Sequence, residues 1–183
     1  MLRSAYAIVA VALTISANQR QPSPTDVPTS ADLVLWQDTF GDGITKRFGI
    51  VQETIRPDSL KARLLPSLNS ASLTRDERAL IERLLQRNAT VVPLPSSLAE
   101  SLGALLVEPT IDPRNYEAIF RKSHEIGRKL AWLSLPAFSD DGQRAAVYME
   151  WTGGFDDAGG EGAFMERRNG RWVRTGGFAV WIT

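Results

Sequence analysis

Asn169-Gly170 sits between two β-rich runs, 162–168 and 171–175. Two consecutive residues that tolerate positive φ at that place specify a two-residue hairpin, the turn whose twist matches the strands on either side. The hairpin belongs to a series. Runs at 130–138, 144–152, 162–168, 171–175 and 178–183 are rich in Trp, Phe, Tyr and Val. Asp140-Asp141-Gly142, the stretch TGGFDDAGGEG at 152–162, Asn169-Gly170 and Gly176-Gly177 separate them. Val147, Met149 and Trp151 alternate with Tyr148 and Glu150, the period of a strand with one face in a core. The C-terminal part therefore reads as an antiparallel meander.

The preceding part reads as helical, apart from one strand. RFGIVQET at 47–54 carries Phe48, Ile50 and Val51, and Pro57 stops it. A helix over 73–88 has the plainest signals. Thr74 and Glu77 form a capping box, and Leu80, Ile81, Leu84 and Leu85 make one apolar stripe. Asn88 occupies the position of a left-handed terminator. A second helix is expected over 113–123, with Asp112 as cap, Pro113 in the first turn, and Tyr116, Ile119 and Phe120 on one face. Leu33, Leu35, Trp36 and Phe40 suit a short helix from Ser30 that Gly41 or Gly43 would stop, although alternation fits its first half as well. Helices followed by hairpins imply an α+β fold, with the helices on one face of the antiparallel meander.

Residues 1–17 have the layout of a secretory signal peptide: Arg3, an apolar run from Ala5 to Ile15, then Ser16 and Ala17 as a small-residue exit. That run is too short as helix to cross a hydrocarbon core of ~30 Å, so no stable membrane insertion is expected after cleavage. Residues 18–30, NQRQPSPTDVPTS, are a Pro/Ser/Thr-rich tether with little to bury, which leaves 31–183 as a single α+β domain. The expected location is secreted or periplasmic.

Lys plus Arg and Asp plus Glu each number 21, so there is no basic surplus to offset phosphate, and nucleic acid is not an expected partner. The absence of cysteine excludes disulfides, zinc–thiolate sites and thiol nucleophiles. His124 is the sole histidine and lacks an elbow serine. Its neighbour Ser123 would point about 100° away on a helix. A histidine near a helix C-terminus suits the dipole there and needs no catalytic role.

The glycine-rich stretch has five glycines and three acids in 152–162. A phosphate cradle would be followed by a helix, and here AFMERR reads as a strand. The simplest reading is a long loop whose acids keep its tip solvated. Two chemistries remain as weaker candidates. Asp156, Asp157 and Glu161 offer oxygen ligands for calcium, without the spacing of the helix–loop–helix calcium motif. Glu150 with Asp156, Asp157 or Glu161 would supply the two carboxylates of a glycan hydrolase. No cofactor is implied. Tyr148, Trp172 and Trp181 are the candidate ligand-binding aromatics, while Trp151 reads as core alongside Val147 and Met149.

The segments 47–54, 82–95 (ERLLQRNATVVPLP), 133–150 (LSLPAFSDDGQRAAVYME) and the hairpin with terminal WIT at 160–183 follow one another in an order that resembles a family of exported bacterial proteins. In that family the four segments correspond to an eT-ended strand, a helix closing on Asn, an lS…F strand feeding an AlvY strand, and an nGxW…WiS ending. The resemblance implies an α+β fold and no assigned activity; cysteines that some members carry before the glycines are missing here. The expected function is a non-enzymatic binding or interaction module of the cell envelope, with an unidentified protein or a saccharide as partner.

Overall fold

The computed structural model describes residues 27–109, 115–154 and 156–183. The signal-peptide segment and most of the tether lie outside them, as do Asp112 and Pro113. Five helices and seven strands are seen among the described residues, in the order α1 (Ser30–Arg47), β1 (Phe48–Thr54), α2 (Pro57–Leu68), α3 (Arg75–Arg87), α4 (Ser96–Leu102), β2 (Leu105–Val107), α5 (Tyr116–Ile126), β3 (Lys129–Leu133), β4 (Ala137–Phe138), β5 (Arg144–Gly154), β6 (Asp157–Arg168) and β7 (Arg171–Ile182). The fold is α+β, with the helices in the N-terminal part and a mixed, mostly antiparallel sheet.

The sheet order is β2-β1-β3-β5-β6-β7, with β4 beside β5. β1 runs parallel to both β2 and β3, and every later pairing is antiparallel. The parallel pairs were not expected from sequence, because they join segments separated by whole helices. Alternation along β5 divides the core in two. Ala145, Val147 and Met149 face α1 and α4 with Leu35, Trp36, Phe40, Leu98 and Leu102. Ala146 and Tyr148 face α2, α3 and α5 with Leu60, Leu64, Leu80, Ile81, Leu84 and Ile119. Helices thus cover both faces rather than the one anticipated. The reason is in β3 and β5, whose apolar residues occupy successive positions, as strands buried on both sides require.

Local signals account for the helix ends. Thr74 and Glu77 form both halves of the capping box, at 3.2 Å and 2.8 Å. Asn115 caps α5 by accepting from the Ala118 amide at 3.1 Å, and Gly127 ends it with φ 62°. α1 continues past Gly41, since a helix-interior glycine costs only about 1 kcal/mol and the burial of Leu35, Trp36 and Phe40 outweighs it. α2 was not foreseen. The proline that stops β1 also opens this helix, and Leu60 and Leu64 give it a buried face.

The expected strand over 130–138 is broken at Ser134-Leu135-Pro136, where Pro136 has no amide to donate. Asn88 fills the gap in place of the expected left-handed terminator: its φ is −103°. Its buried amide side chain donates to the Leu84 and Leu135 carbonyls at 2.8 and 2.9 Å and accepts from the Leu135 amide at 2.7 Å. Close by, Arg87 of α3 makes a two-pronged ion pair with the buried Asp32 of α1, at 2.6 and 2.7 Å, and also donates to the Pro136 carbonyl. This ion pair joins helices from opposite faces of the sheet.

The largest departure from expectation concerns 152–162. These residues are the end of β5 and the first half of β6, paired from Glu150↔Gly160 to Gly154↔Asp157, and not a long loop. Their glycines seat aromatic rings. A Cβ at Gly162 would come within 3.0 Å of the Phe178 ring, and one at Gly160 would strike the Trp181 indole and the Tyr148 hydroxyl. One at Gly159 would strike Trp151. β7 likewise runs unbroken through Gly176-Gly177, with register shifts at Gly160/Gly162 and Phe164/Met165.

Candidate functional site

The face covered by α2, α3 and α5 carries a cleft of about 370 Å3 at the end of the sheet where β3, β5 and β7 meet α2. Its floor follows from register. Trp132 and Glu150 are directly opposed across β3 and β5, so both project from the same face. Trp181 lies across from Gly160, and the missing Cβ there lets the indole settle over the sheet. α2 supplies Ser59 and Arg63, and its start adds Arg56 and Asp58.

The polar groups are arranged in two ways. Some are mutually satisfied. The Ser59 hydroxyl lies against both Glu150 oxygens, at 2.9 and 3.1 Å, and the Trp181 indole N–H donates to the Tyr148 hydroxyl at 2.8 Å. Others have their capacity left over. The Trp132 indole nitrogen is buried and has no hydrogen-bond partner among the described residues. The Arg63 guanidinium stacks on the Trp181 ring, 3.7 Å from its centre, and makes no hydrogen bond to the described residues. Burial raises the Glu150 carboxyl above its ordinary range, against the opposing pull of the Ser59 hydroxyl and the Arg63 charge. Burial raises the Tyr148 phenol too, so it stays protonated.

Glu150, Tyr148 and Trp181, three residues that the sequence marks as candidates, therefore meet around one cleft. Tyr148 is fully buried and acts as the base on which Trp181 rests. The other candidates lie elsewhere. Trp172 is in the core against α1: its ring packs on Phe138 with centroids 5.7 Å apart, and its backbone amide donates to Asp38. Glu161 opposes Met149 on the opposite face of the sheet and pairs with Arg174 at 3.2 Å. Asp157 pairs with Lys129 at 2.5 Å, and Asp156 is exposed at the turn. Asp157 and Glu161 are thus ~13 Å apart along β6 at the usual rise per residue. The three acids do not converge on a calcium position, and none joins Glu150 as a second catalytic carboxylate. Among the described residues no group of three acids or histidines could hold a metal ion. His124 is exposed and stacks on Phe120 one turn away, with ring planes 8° apart.

Sequence reasoning did not find Trp132, Ser59 or Arg63 as site residues. Trp132 had a usable signal, since any register that opposes it to Glu150 places both on one face. Ser59 and Arg63 had none, because the helix that carries them was not anticipated.

A second and wider depression, about 920 Å3, lies on the α1 face and includes Asp38, Arg47, Glu161 and Arg171. The carboxylates there are already engaged, Asp38 with the Trp172 amide and Glu161 with Arg174. The smaller cleft is the better candidate because its lining holds a buried donor without a partner, the Trp132 indole N–H. Scans against protein-family models, characterised proteins and solved structures return no match for this chain. No helix among the described residues is long and apolar enough to cross a membrane.

Proposed function

We propose that this protein is a non-enzymatic binding module whose ligand enters the cleft between α2 and the ends of β3, β5 and β7. The observation that carries this reading is the Trp132 indole N–H. A buried donor without an acceptor costs about 1–3 kcal/mol, and a ligand acceptor in the cleft would recover that penalty. The cleft volume falls in the range of small-molecule sites, and Trp132, Trp151 and Trp181 give it the aromatic walls such sites use. The layout of residues 1–17 supports placing the module in the bacterial envelope.

The test is a thermal melt of the protein against a panel of monosaccharides, amino acids, short peptides and organic acids. A ligand at 100 times its dissociation constant adds about 2.7 kcal/mol, equivalent to several degrees in a domain of this size. Ala158→Leu, which fills the cleft without touching its polar groups, should abolish the shift. A shift that survives in A158L would place the ligand elsewhere, and a panel that moves nothing would refute the reading.

A catalytic version of the same cleft has one observation in its favour. Glu150, held toward its protonated form, shares the site with Asp58. Turnover of a bound glycan that E150Q abolishes, with the melt unchanged, would establish it.

A further inference from the structure

We propose, on the basis of the binding reading above, that the cleft takes its ligand by a carboxylate, with Arg63 as the anion partner and the Trp132 indole N–H as a second donor. Both groups are donors, and both are left over once the protein's own hydrogen bonds are counted. The complementary ligand group is therefore an acceptor. Stacking on Trp181 fixes the plane of the guanidinium, so its fork of N–H groups is oriented before the ligand arrives; a planar carboxylate matches that fork with two parallel bonds. Arg56 adds a second cation to the lining. α2 contributes as well: no side chain caps its first turn, and Ser59 in that turn reaches Glu150, so the positive end of the helix lies at the cleft.

The same lining argues against a phosphate. Asp58 and Glu150 stand beside the two arginines, and their charge opposes a dianion more than a monoanion. The body of the ligand then lies along Trp132, Trp151, Ala158 and Trp181.

Matched pairs of acid and amide test the proposal: benzoate with benzamide, lactate with lactamide, and glucuronate with glucuronamide. Each is titrated into the whole protein while the indole N–H resonances of Trp132 and Trp181 are followed by 1H–15N NMR. The expected result is that the acid of at least one pair moves both resonances saturably and binds at least about tenfold more tightly than its amide. Arg63→Ala should bring acid and amide to the same affinity, and Arg63→Lys should recover only part of the difference because an ammonium lacks the fork. Arg63 is exposed, so both variants should melt as the wild type does. Amides that bind as tightly as the acids overturn the carboxylate assignment while leaving the cleft as a binding site. Inorganic phosphate that binds more tightly than every acid also overturns it. If neither member of any pair moves either indole, the binding reading falls together with the assignment.

Discussion

Gly162→Ala adds one methyl group to β6, and the structure sets how much that should cost. A Cβ at this position would lie within 3.0 Å of three atoms of the Phe178 ring, where ordinary contact is 3.4–4 Å. The ring must retreat by roughly 1 Å, yet it is buried and packed against Phe164 with centroids 4.6 Å apart. Overpacking of this sort costs about 1–3 kcal/mol, and the lost flexibility of glycine in the unfolded chain returns about 0.4–1 kcal/mol. The expected net loss is ~1–2 kcal/mol, a fall in melting temperature of about 2–8 °C for a protein of this size. Gly176→Ala in β7 is the internal control. Its Cβ would meet only Phe164, at 3.5 Å, so its effect should lie between neutral and slightly stabilising. Phe178→Leu should relieve the crowding, making the double variant less destabilised than the sum of the two single changes. The assay is urea denaturation and a thermal melt of the wild type and the four variants. A Gly162→Ala protein that melts with the wild type, or strict additivity in the double variant, would refute the claim that this glycine is a seat for an aromatic ring.

Asp32→Ala should cost about 3–5 kcal/mol, because it takes the neutralising carboxylate from the largely buried Arg87 guanidinium, whereas replacing Asp32 and Arg87 together by apolar residues should cost far less; denaturant midpoints distinguish the two outcomes. Asn88→Ala leaves the amide and carbonyl of Leu135 without their partner, at about 1–3 kcal/mol for each group that water does not reach, and hydrogen exchange should show early loss of protection at Leu135. Glu150 gives a pH signature. Its carboxyl is raised in the folded chain, so the folded state holds that proton more tightly than the unfolded state does. The stability it contributes is fully present below the ordinary value of 4.5 and is lost as pH rises through the higher folded value. Glu150→Gln should flatten that decline, seen as a smaller gap between urea midpoints at about pH 4 and about pH 8; an unchanged gap would show that another group is responsible.

Features written within a few residues of one another were legible in the sequence. The capping box of Thr74 and Glu77 and the Asn169-Gly170 turn, with φ values of 51° and 82°, depend on local chemistry alone. Pairings that depend on distant segments were not. Nothing in 47–54 announces that Phe48 will lie beside Lys129, or that β2 will add a further parallel edge. The glycine-rich stretch misled for a related reason. Glycines in series read as a loop until the bulky residues opposite them are known, and Trp181 and Phe178 come from the next strand. The cleft was half legible: Glu150, Tyr148 and Trp181 stand out by residue type, but the helix that completes the site gave too short a signal beside Pro57.

The mixture of pairings in the sheet also bears on the order in which the molecule is assembled. β5, β6 and β7 are joined by tight turns, so their contacts form with little loss of chain entropy. Joining Phe48 to Lys129 instead closes a loop that contains α2, α3, α4 and α5. During synthesis the helices emerge before the strands that both of their apolar faces require. Most of the sheet surface they settle on is made only in the last third of the chain. The turn-linked meander is therefore expected to form first and β1 to join it late, which pulse-labelled hydrogen exchange during refolding would show as protection of β5–β7 before protection of Phe48–Thr54.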